Sequence, residues 1–309
     1  MLNVIHLMDD EGLGHCKRMI SFSQKLQSEG SDILLLVNRF RRDQIKILNN
    51  KKLNCLEYDP KFNIEEIHSL VTNNQPGKNI KSWSIDTKLN CIKEAQFLKD
   101  KGLYTRLFDN TTSCRLIVDE NVYPTPLFDK NDLDWSNYKG KVLGGWNHVL
   151  LGAELVKLKE TKFNSDRKSC VISFGGSDPQ NITLKVLKIL MPFAEKIPII
   201  AILGPKYKNK QNILDLNKVA GNKIKVISDV DNIDSHLASA KLLITAVGLT
   251  IIEAIFLKVP CICISNHKSD DRDLKRLKKM KNIHVFGHYE KLSGNSGRIS
   301  DIVIDIFAL

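Results

Sequence analysis

No run of apolar residues in this 309-residue chain approaches the roughly eighteen that a membrane helix needs, so no spanning segment is expected. Met1 to Asp10 has no basic segment and no small-residue cleavage site, so a signal peptide is not expected either. There is no C-x-x-C pair. The seven cysteines, Cys16, Cys55, Cys91, Cys114, Cys170, Cys261 and Cys263, are scattered and odd in number, which argues against a disulfide framework or a zinc cluster. Reduced, mostly buried thiols in a cytoplasmic protein fit that usage, and Cys261-Ile262-Cys263 lies inside an apolar strand pattern where both thiols serve packing. Acidic residues are in deficit, 35 against 46 Lys and Arg, for a net charge of +11. Such an excess suits nucleic acid, an anionic membrane face or an anionic small substrate. Its densest cluster is Arg272 to Lys281, where Leu274, Leu277 and Met280 are spaced three apart, giving an amphipathic helix with a basic solvent face. That helix lacks the interleaved aromatics of a single-strand binder, so no nucleic acid is expected, and weak peripheral membrane contact is a minor alternative.

With 42% hydrophobic residues, the chain can build one large core or two ordinary ones. The first half alternates strands and helices. Strand patterns fall at Leu2 to Met8, Ile33 to Val37, Leu53 to Tyr58, Ser82 to Ile85, Tyr104 to Phe108 and Leu116 to Val118, the last three delivering Asp86, Asp109 and Asp119 at their carboxyl ends. The segment Tyr123 to Asn147 is irregular, and the chain turns polar and lysine-rich after it, so a domain boundary is expected near Gly152 to Lys168. The pattern then restarts, with strands at Cys170 to Phe174, Ile199 to Leu203, Ile224 to Ile227, Leu242 to Thr245, Val259 to Ile264 and Ile283 to Phe286. This density of alternation implies α/β architecture: two doubly wound, Rossmann-like domains, residues 1–152 and 168–309, facing across a cleft where a ligand would bind.

Asp9-Asp10-Glu11-Gly12-Leu13-Gly14-His15-Cys16-Lys17-Arg18 follows the first strand pattern and precedes Met19 to Leu26, whose apolar residues roughly keep helical spacing. Gly12 and Gly14 thus sit in a strand-to-helix turn, with His15 at the helix start. Glycine lets the backbone turn tightly and lets a ligand reach bare amide groups, while the helix N-terminus suits a phosphate or developing anion. A dinucleotide fingerprint is excluded, because Lys17 stands where a third small residue is required. An ordinary turn with a capping histidine accounts for the stretch equally well when it is taken alone.

Two further turns can hold an anion. Phe174-Gly175-Gly176-Ser177-Asp178-Pro179 places paired glycines after a strand and ahead of a helix, though a turn needing positive φ explains them too. In Gly248-Leu249-Thr250-Ile251-Ile252-Glu253, Thr250 and Glu253 share a helix face; backbone N–H groups and Thr250 would hold a phosphate, and Glu253 would accept from ribose hydroxyls. T-x-x-E is also a capping box, the stronger explanation for that motif in isolation.

Together, the G-x-G-H turn with Arg18 after it, the G-G-S loop, the G-x-T-x-x-E turn and the following Val259-Pro260 strand resemble the UDP-sugar hydrolases of pseudaminic acid biosynthesis and the related spore-coat polysaccharide proteins, of glycosyltransferase-B (GT-B) architecture. Val142-Leu143-Gly144-Gly145-Trp146 to Leu155 also resembles that family's linker, so the likeness runs from about residue 1 to about residue 290. The resemblance implies that Gly175, Gly176, Ser177, Gly248, Leu249, Thr250 and Glu253 contact UDP. It implies that His15 is the catalytic base, that Gly12, Gly14 and Arg18 belong to the same substrate site, and that Asp86, Asp109, Asp119 and Asn147 face the sugar. The chain departs from the family pattern at Leu7-Met8-Asp9-Asp10, at Asp109-Asn110 and at Ser265-Asn266-His267, all where sugar or acceptor should bind.

The activity implied is cleavage of the anomeric C–O bond of a UDP-linked sugar with inversion. Imidazole can be neutral and basic near pH 7, so His15 could take the proton of the nucleophile. UDP is already a good leaving group, so no second carboxylic acid is required. Water as nucleophile makes a hydrolase, and another molecule's hydroxyl makes a glycosyltransferase. A non-catalytic sugar-nucleotide-binding protein is the third reading. No metal or other cofactor is expected; Asp132-Leu133-Asp134 and Asp229-Val230-Asp231 read D-x-D, but chance explains them in a chain this rich in Asp.

Overall fold

The computed structural model describes residues 1–8, 13–160, 167–228 and 233–309. The chain divides into two compact units, Met1–Gly152 and Ala153–Leu309. Asp9, Asp10, Gly12 and the Asp229–Asp231 pattern lie outside the described residues.

The first unit is built on a seven-stranded sheet of β1 (Leu2–Leu7), β2 (Asp32–Asn38), β3 (Cys55–Tyr58), β4 (Ile80–Asp86), β5 (Tyr104–Phe108), β6 (Glu120–Tyr123) and β7 (Lys141–Gly144). The helices between them are α1 (Leu13–Ser28), α2 (Arg42–Asn50), α3 (Ile64–Asn74) and α4 (Ile92–Asp100). Strand order is β3-β2-β1-β4-β5-β6-β7, and each paired neighbour runs parallel. A parallel sheet covered on both faces needs strands that are apolar on both sides. β1 meets this: Leu2 and Val4 enter the core on one face with Trp83 and Leu107, while Ile5 and Leu7 enter the other with Met19 and Phe108. Two polar residues interrupt the strand: Asn3, whose Oδ1 accepts from Ser82 Oγ at 2.7 Å, and His6. His6 is buried against Tyr58 and Trp83, and burial pushes its imidazole down to about 3, so it is a neutral core histidine.

The second unit opens with α5 (Ala153–Glu160) and has a six-stranded parallel sheet of β8 (Ser169–Ser173), β9 (Ile199–Leu203), β10 (Ile224–Ser228), β11 (Ala240–Thr245), β12 (Cys261–Ser265) and β13 (Ile283–His288). Strand order is β10-β9-β8-β11-β12-β13. Its other helices are α6 (Ile182–Leu190), α7 (Lys210–Val219), α8 (Asp234–Ala238), α9 (Leu249–Phe256), α10 (Asp271–Leu277) and α11 (Leu292–Phe307). In α10, Leu274 and Leu277 are buried while Arg272 and Lys275 stay exposed. Cys261 and Cys263 are fully buried, and all seven cysteines are free. Among the described residues no helix is long and apolar enough to cross a membrane.

Three features differ from the sequence reading. Leu116 to Val118 is not a strand: Ser113–Leu116 forms a 3-10 turn, and the strand begins at Glu120. Asp119 therefore precedes β6 instead of ending a strand, and its carboxylate accepts from the Thr105 amide (2.7 Å) and hydroxyl (2.9 Å). β7 lies inside the segment expected to be irregular, and α11 follows the last strand that periodicity revealed.

In each sheet the order reverses beside the first strand, between β1 and β4 and between β8 and β11. Loops leaving the carboxyl ends of such a pair diverge and leave a crevice. The loop after β8 is tightly built there. Gly175 has φ +78°, the Gly176 carbonyl accepts from Lys206 N (2.9 Å), and a Cβ on Gly204, just past β9, would overlap the Gly175 oxygen and the Gly176 Cα. Gly204→Ala should therefore cost about 1–3 kcal/mol by overpacking against rigid backbone, measured as a lower urea midpoint at unchanged slope. A midpoint equal to wild type would contradict this packing.

Candidate functional site

His15 lies in the first turn of α1 and Arg18 one turn later, so both project from one face of the helix. Opposite them Asp86 ends β4, in register with Leu7 of β1, and its side chain is completely buried. His15 Nδ1 is 2.9 Å from Asp86 Oδ1, and Arg18 Nε donates to Asp86 Oδ2 at 3.0 Å. Arg18 Nη2 donates to Asp86 Oδ1 and lies 2.8 Å from His15 Nδ1, while Nη1 donates to Asp109 Oδ2 at 2.9 Å. Asp109 stands just past β5 with φ +52°, a left-handed conformation that is uncommon for any residue but glycine and brings its carboxylate to Arg18.

Burial alone would raise the Asp86 carboxyl. The Arg18 guanidinium and the hydrogen bonds from His15 and Arg18 outweigh that and hold it below its ordinary value. Arg18 in turn is driven above its ordinary value by the two carboxylates, against the opposing effect of burial. Asp86 is thus ionised at neutral pH. Two contacts compete for His15 Nδ1: the ionised Asp86 carboxylate at 2.9 Å calls for a hydrogen on it, and the Arg18 Nη2 donor at 2.8 Å calls for a lone pair. Donation to Asp86 corresponds to the Nδ1–H tautomer, in which Nε2 is the basic nitrogen.

Gly14 is half-buried beside this cluster, and nothing lies within 4 Å of where a Cβ would be. Asn147 is elsewhere. It is exposed on a 3-10 turn and lines a groove of about 200 Å³ with Ser21, Phe22 and Lys25 of α1 and with Phe108 and Leu143. Asn110, at one of the departures from the family pattern, is fully used in the fold. Its Nδ2 donates to the carbonyls of Thr87 (2.7 Å) and Leu89 (2.8 Å), and its Oδ1 accepts from the Thr112 amide (2.8 Å) and hydroxyl (2.7 Å). An aspartate could not make both donations. Asp134, from one D-x-D pattern, accepts from its neighbour Ser136, and among the described residues no His, Cys, Asp or Glu cluster is arranged to hold a metal.

In the second unit the two glycine turns flank the switch point. The start of α6 is already occupied by the chain's own anion: the Asp178 carboxylate accepts from Ile182 N and Thr183 N, both at 2.8 Å. What the β8 loop presents is the exposed Gly175 and Ser177 with half-buried Gly176. The start of α9 is different. Its N-cap is Gly248, at φ +155° and ψ −163°, with no side-chain cap. Thr250 is inside the first turn, so the T-x-x-E capping box does not form, whereas one does form between Asn63 and Glu66 at α3. Leu249 and Thr250 are half-buried, Glu253 is buried, and no atom lies within 4 Å of a Cβ placed on Gly248. This helix start is open and positively polarised.

Comparison with known proteins agrees with this architecture. The family model for the glycosyltransferase family 28 C-terminal domain matches residues 170–277. The uncharacterized protein MJ1062 of Methanocaldococcus jannaschii is 26% identical over 287 residues, a match that covers 87% of this chain and 57% of that protein, so the chain spans little more than half the length of this curated relative. Acinetobacter baumannii MurG superposes with a TM-score of 0.62 at 10% identity over 99% of this chain and 90% of its own. The fold is GT-B. The UDP-GlcNAc 2-epimerase of Neisseria meningitidis, solved bound to UDP-GlcNAc, shares it with a TM-score of 0.64 at 11% identity over 100% of this chain and 93% of its own. Spinosyn rhamnosyltransferase SpnG, complexed with spinosyn aglycone, does so with 0.63 at 12% over 99% and 92%. The chain therefore carries the glycosyltransferase-like fold of nucleotide-sugar enzymes.

Asn110→Asp tests the role given to that residue. A buried carboxylate facing two carbonyls has a raised folded pKa, so the penalty is absent when the group is protonated and grows as pH rises through about 3.9, the ordinary Asp value. The variant should lose about 1–3 kcal/mol at pH 7 and recover part of it near pH 4, read from paired denaturant titrations. A pH-independent difference would contradict this.

Proposed function

We propose that this chain hydrolyses a UDP-linked amino or deoxy sugar at its anomeric carbon, with inversion and release of UDP, in the biosynthesis of a surface polysaccharide or nonulosonic acid. The observation that carries the proposal is the His15–Asp86–Arg18 cluster at the switch point of the first sheet. His15 Nε2 takes a proton from water as the water attacks the anomeric carbon. Asp86 fixes the ring and stabilises the imidazolium that forms. Arg18 keeps Asp86 ionised, so the proton stays on the imidazole, and Asp109 completes the charge balance of Arg18. These four residues and Gly14 would serve the sugar side in the first unit.

UDP would bind the second unit, its diphosphate at the open start of α9 through the Gly248, Leu249 and Thr250 backbone. The Gly175–Ser177 loop would close over it, and Glu253 would accept from the ribose. The helix start stabilises the charge that develops on the leaving UDP. The neighbouring epimerase bound to UDP-GlcNAc supports a uridine donor in this fold. The family 28 glycosyltransferase match over the second unit favours a second reading, transfer of the sugar to an acceptor hydroxyl, in which the same residues act and only the nucleophile changes.

The decisive assay is UDP release from a panel of UDP-linked amino and deoxyamino sugars without acceptor. Wild type should release UDP, and His15→Ala should lose about 10²–10⁴-fold in kcat at nearly unchanged UDP affinity. UDP binding without release by the wild type would favour transfer, and no UDP binding would refute the sugar-nucleotide reading. Asp86→Asn should lower kcat by a similar factor because it removes the carboxylate that holds the tautomer. Asp86 also adds stability that is present above its ordinary value of about 3.9 and lost as pH falls through its lower folded value. The wild type should therefore be more stable than Asp86→Asn near neutral pH, with the gap closing as pH falls below about 4; a gap that widens there would contradict the pairing.

A further inference from the structure

The loops that follow β4 and β5 bring two thiols into contact. Cys91 is the N-cap residue of α4, Cys114 lies in the 3-10 turn Ser113–Leu116, both are fully buried, and their sulfurs are 3.3 Å apart. Cys91 follows Asp86 in one loop, and Cys114 follows Asp109 in the other. Asn110 already clasps the two loops, and its Oδ1 also accepts from Cys114 Sγ at 3.3 Å. Thr112 Oγ1 lies 2.8 Å from the same sulfur, so its hydroxyl can turn from Asn110 to a thiolate. No step of the proposed sugar chemistry uses either cysteine.

We propose that Cys91 and Cys114 form an oxidisable dithiol, which a hydroperoxide converts to a disulfide that cross-links the loop after β4 to the loop after β5. The two sulfurs are not equivalent. The Cys91 thiol donates to Cys114, which brings Cys114 down to about 6 against the opposing effect of burial and pushes Cys91 up. Cys114 is therefore the nucleophile and Cys91 the resolving thiol. The Cys114 thiolate attacks a peroxide oxygen, the O–O bond breaks, and hydroxide leaves, so Cys114 becomes a sulfenic acid. The Cys91 sulfur then attacks the Cys114 sulfur, the S–O bond breaks, and the S–S bond forms. The departing hydroxyl leaves as water with the Cys91 proton, and the first hydroxide takes up the proton Cys114 released on ionising. Two thiols are oxidised and one hydrogen peroxide is reduced to two waters. Hydrogen peroxide, small and uncharged, suits a pair with no exposed surface. Closing to a bond of about 2.05 Å draws the loops together and removes Cys114 from its hydrogen bond to Asn110.

The test treats the full chain with graded hydrogen peroxide, followed by non-reducing peptide mapping and hydrogen exchange. The expected result is a peptide joining Cys91 to Cys114, short by two hydrogens, that forms before the other thiols oxidise and reverts with dithiothreitol. Amide exchange in 87–92 and 109–116 should slow on oxidation. In Cys91→Ser, dimedone should trap a sulfenic acid on Cys114; in Cys114→Ser, Cys91 should remain a thiol. The proposal is overturned if both thiols survive peroxide that oxidises the other cysteines, or if the sulfenic acid forms on Cys91. The wild-type map decides the linkage without either variant having to fold, and without reference to the substrate.

Discussion

A carboxylate with no exposed surface must be matched by charge and hydrogen bonds, and in this chain Asp86 is matched by Arg18 and His15. Much of the first unit is arranged around that requirement. The in-register pairing of Leu7 with Asp86 sets the carboxylate beside the end of β1. His15 and Arg18 are three residues apart, so the same helical turn delivers the imidazole and the guanidinium to one anion. Asp109 accepts an uncommon backbone conformation to supply a second anion for Arg18. Removing Arg18 would leave a buried charge uncompensated, which links the integrity of the fold to the state of the histidine.

The second unit solves the opposite problem. Its helix α9 begins at a glycine with no capping side chain, so its first amides are left for solvent or an anion. The nearby start of α6 shows the alternative, because Asp178 closes it with two hydrogen bonds. One of two helix starts at the same sheet edge is neutralised internally and the other is left open. That contrast supports a diphosphate at α9 more than the glycine pattern alone does.

Most of the fold was legible because parallel strands buried on both faces leave continuous apolar runs; Tyr104–Phe108 and Ile199–Leu203 have the boundaries their sequences suggest. Strands β6 and β7 were not, because Glu120-Asn121-Val122-Tyr123 and Lys141-Val142-Leu143-Gly144 are short and polar near the edge of the sheet. Leu116-Ile117-Val118 looked more like a strand than the true one does. At the site, the turn glycines, His15, Asp86 and Asp109 could be named from strand ends. The partnership of Arg18 with both carboxylates could not, because it depends on which strands neighbour β1. Gly204 was equally hidden: its need for glycine comes from the backbone of another loop. The departure from the family pattern at Asn110 is explained by its hydrogen-bond partners, which the sequence does not show.

The proposed chemistry requires Asp86 to hold His15 as the Nδ1–H tautomer, with Nε2 basic, against the Arg18 donor on the same nitrogen. The most direct measurement is the pair of ring nitrogen chemical shifts of His15 in ¹⁵N-labelled protein in alkaline buffer. The expected result is a protonated, pyrrole-like Nδ1 and an unprotonated, pyridine-like Nε2, with the pattern lost in Asp86→Asn. A pyrrole-like Nε2 in the wild type would contradict it, because the nitrogen assigned as base would then already carry its proton.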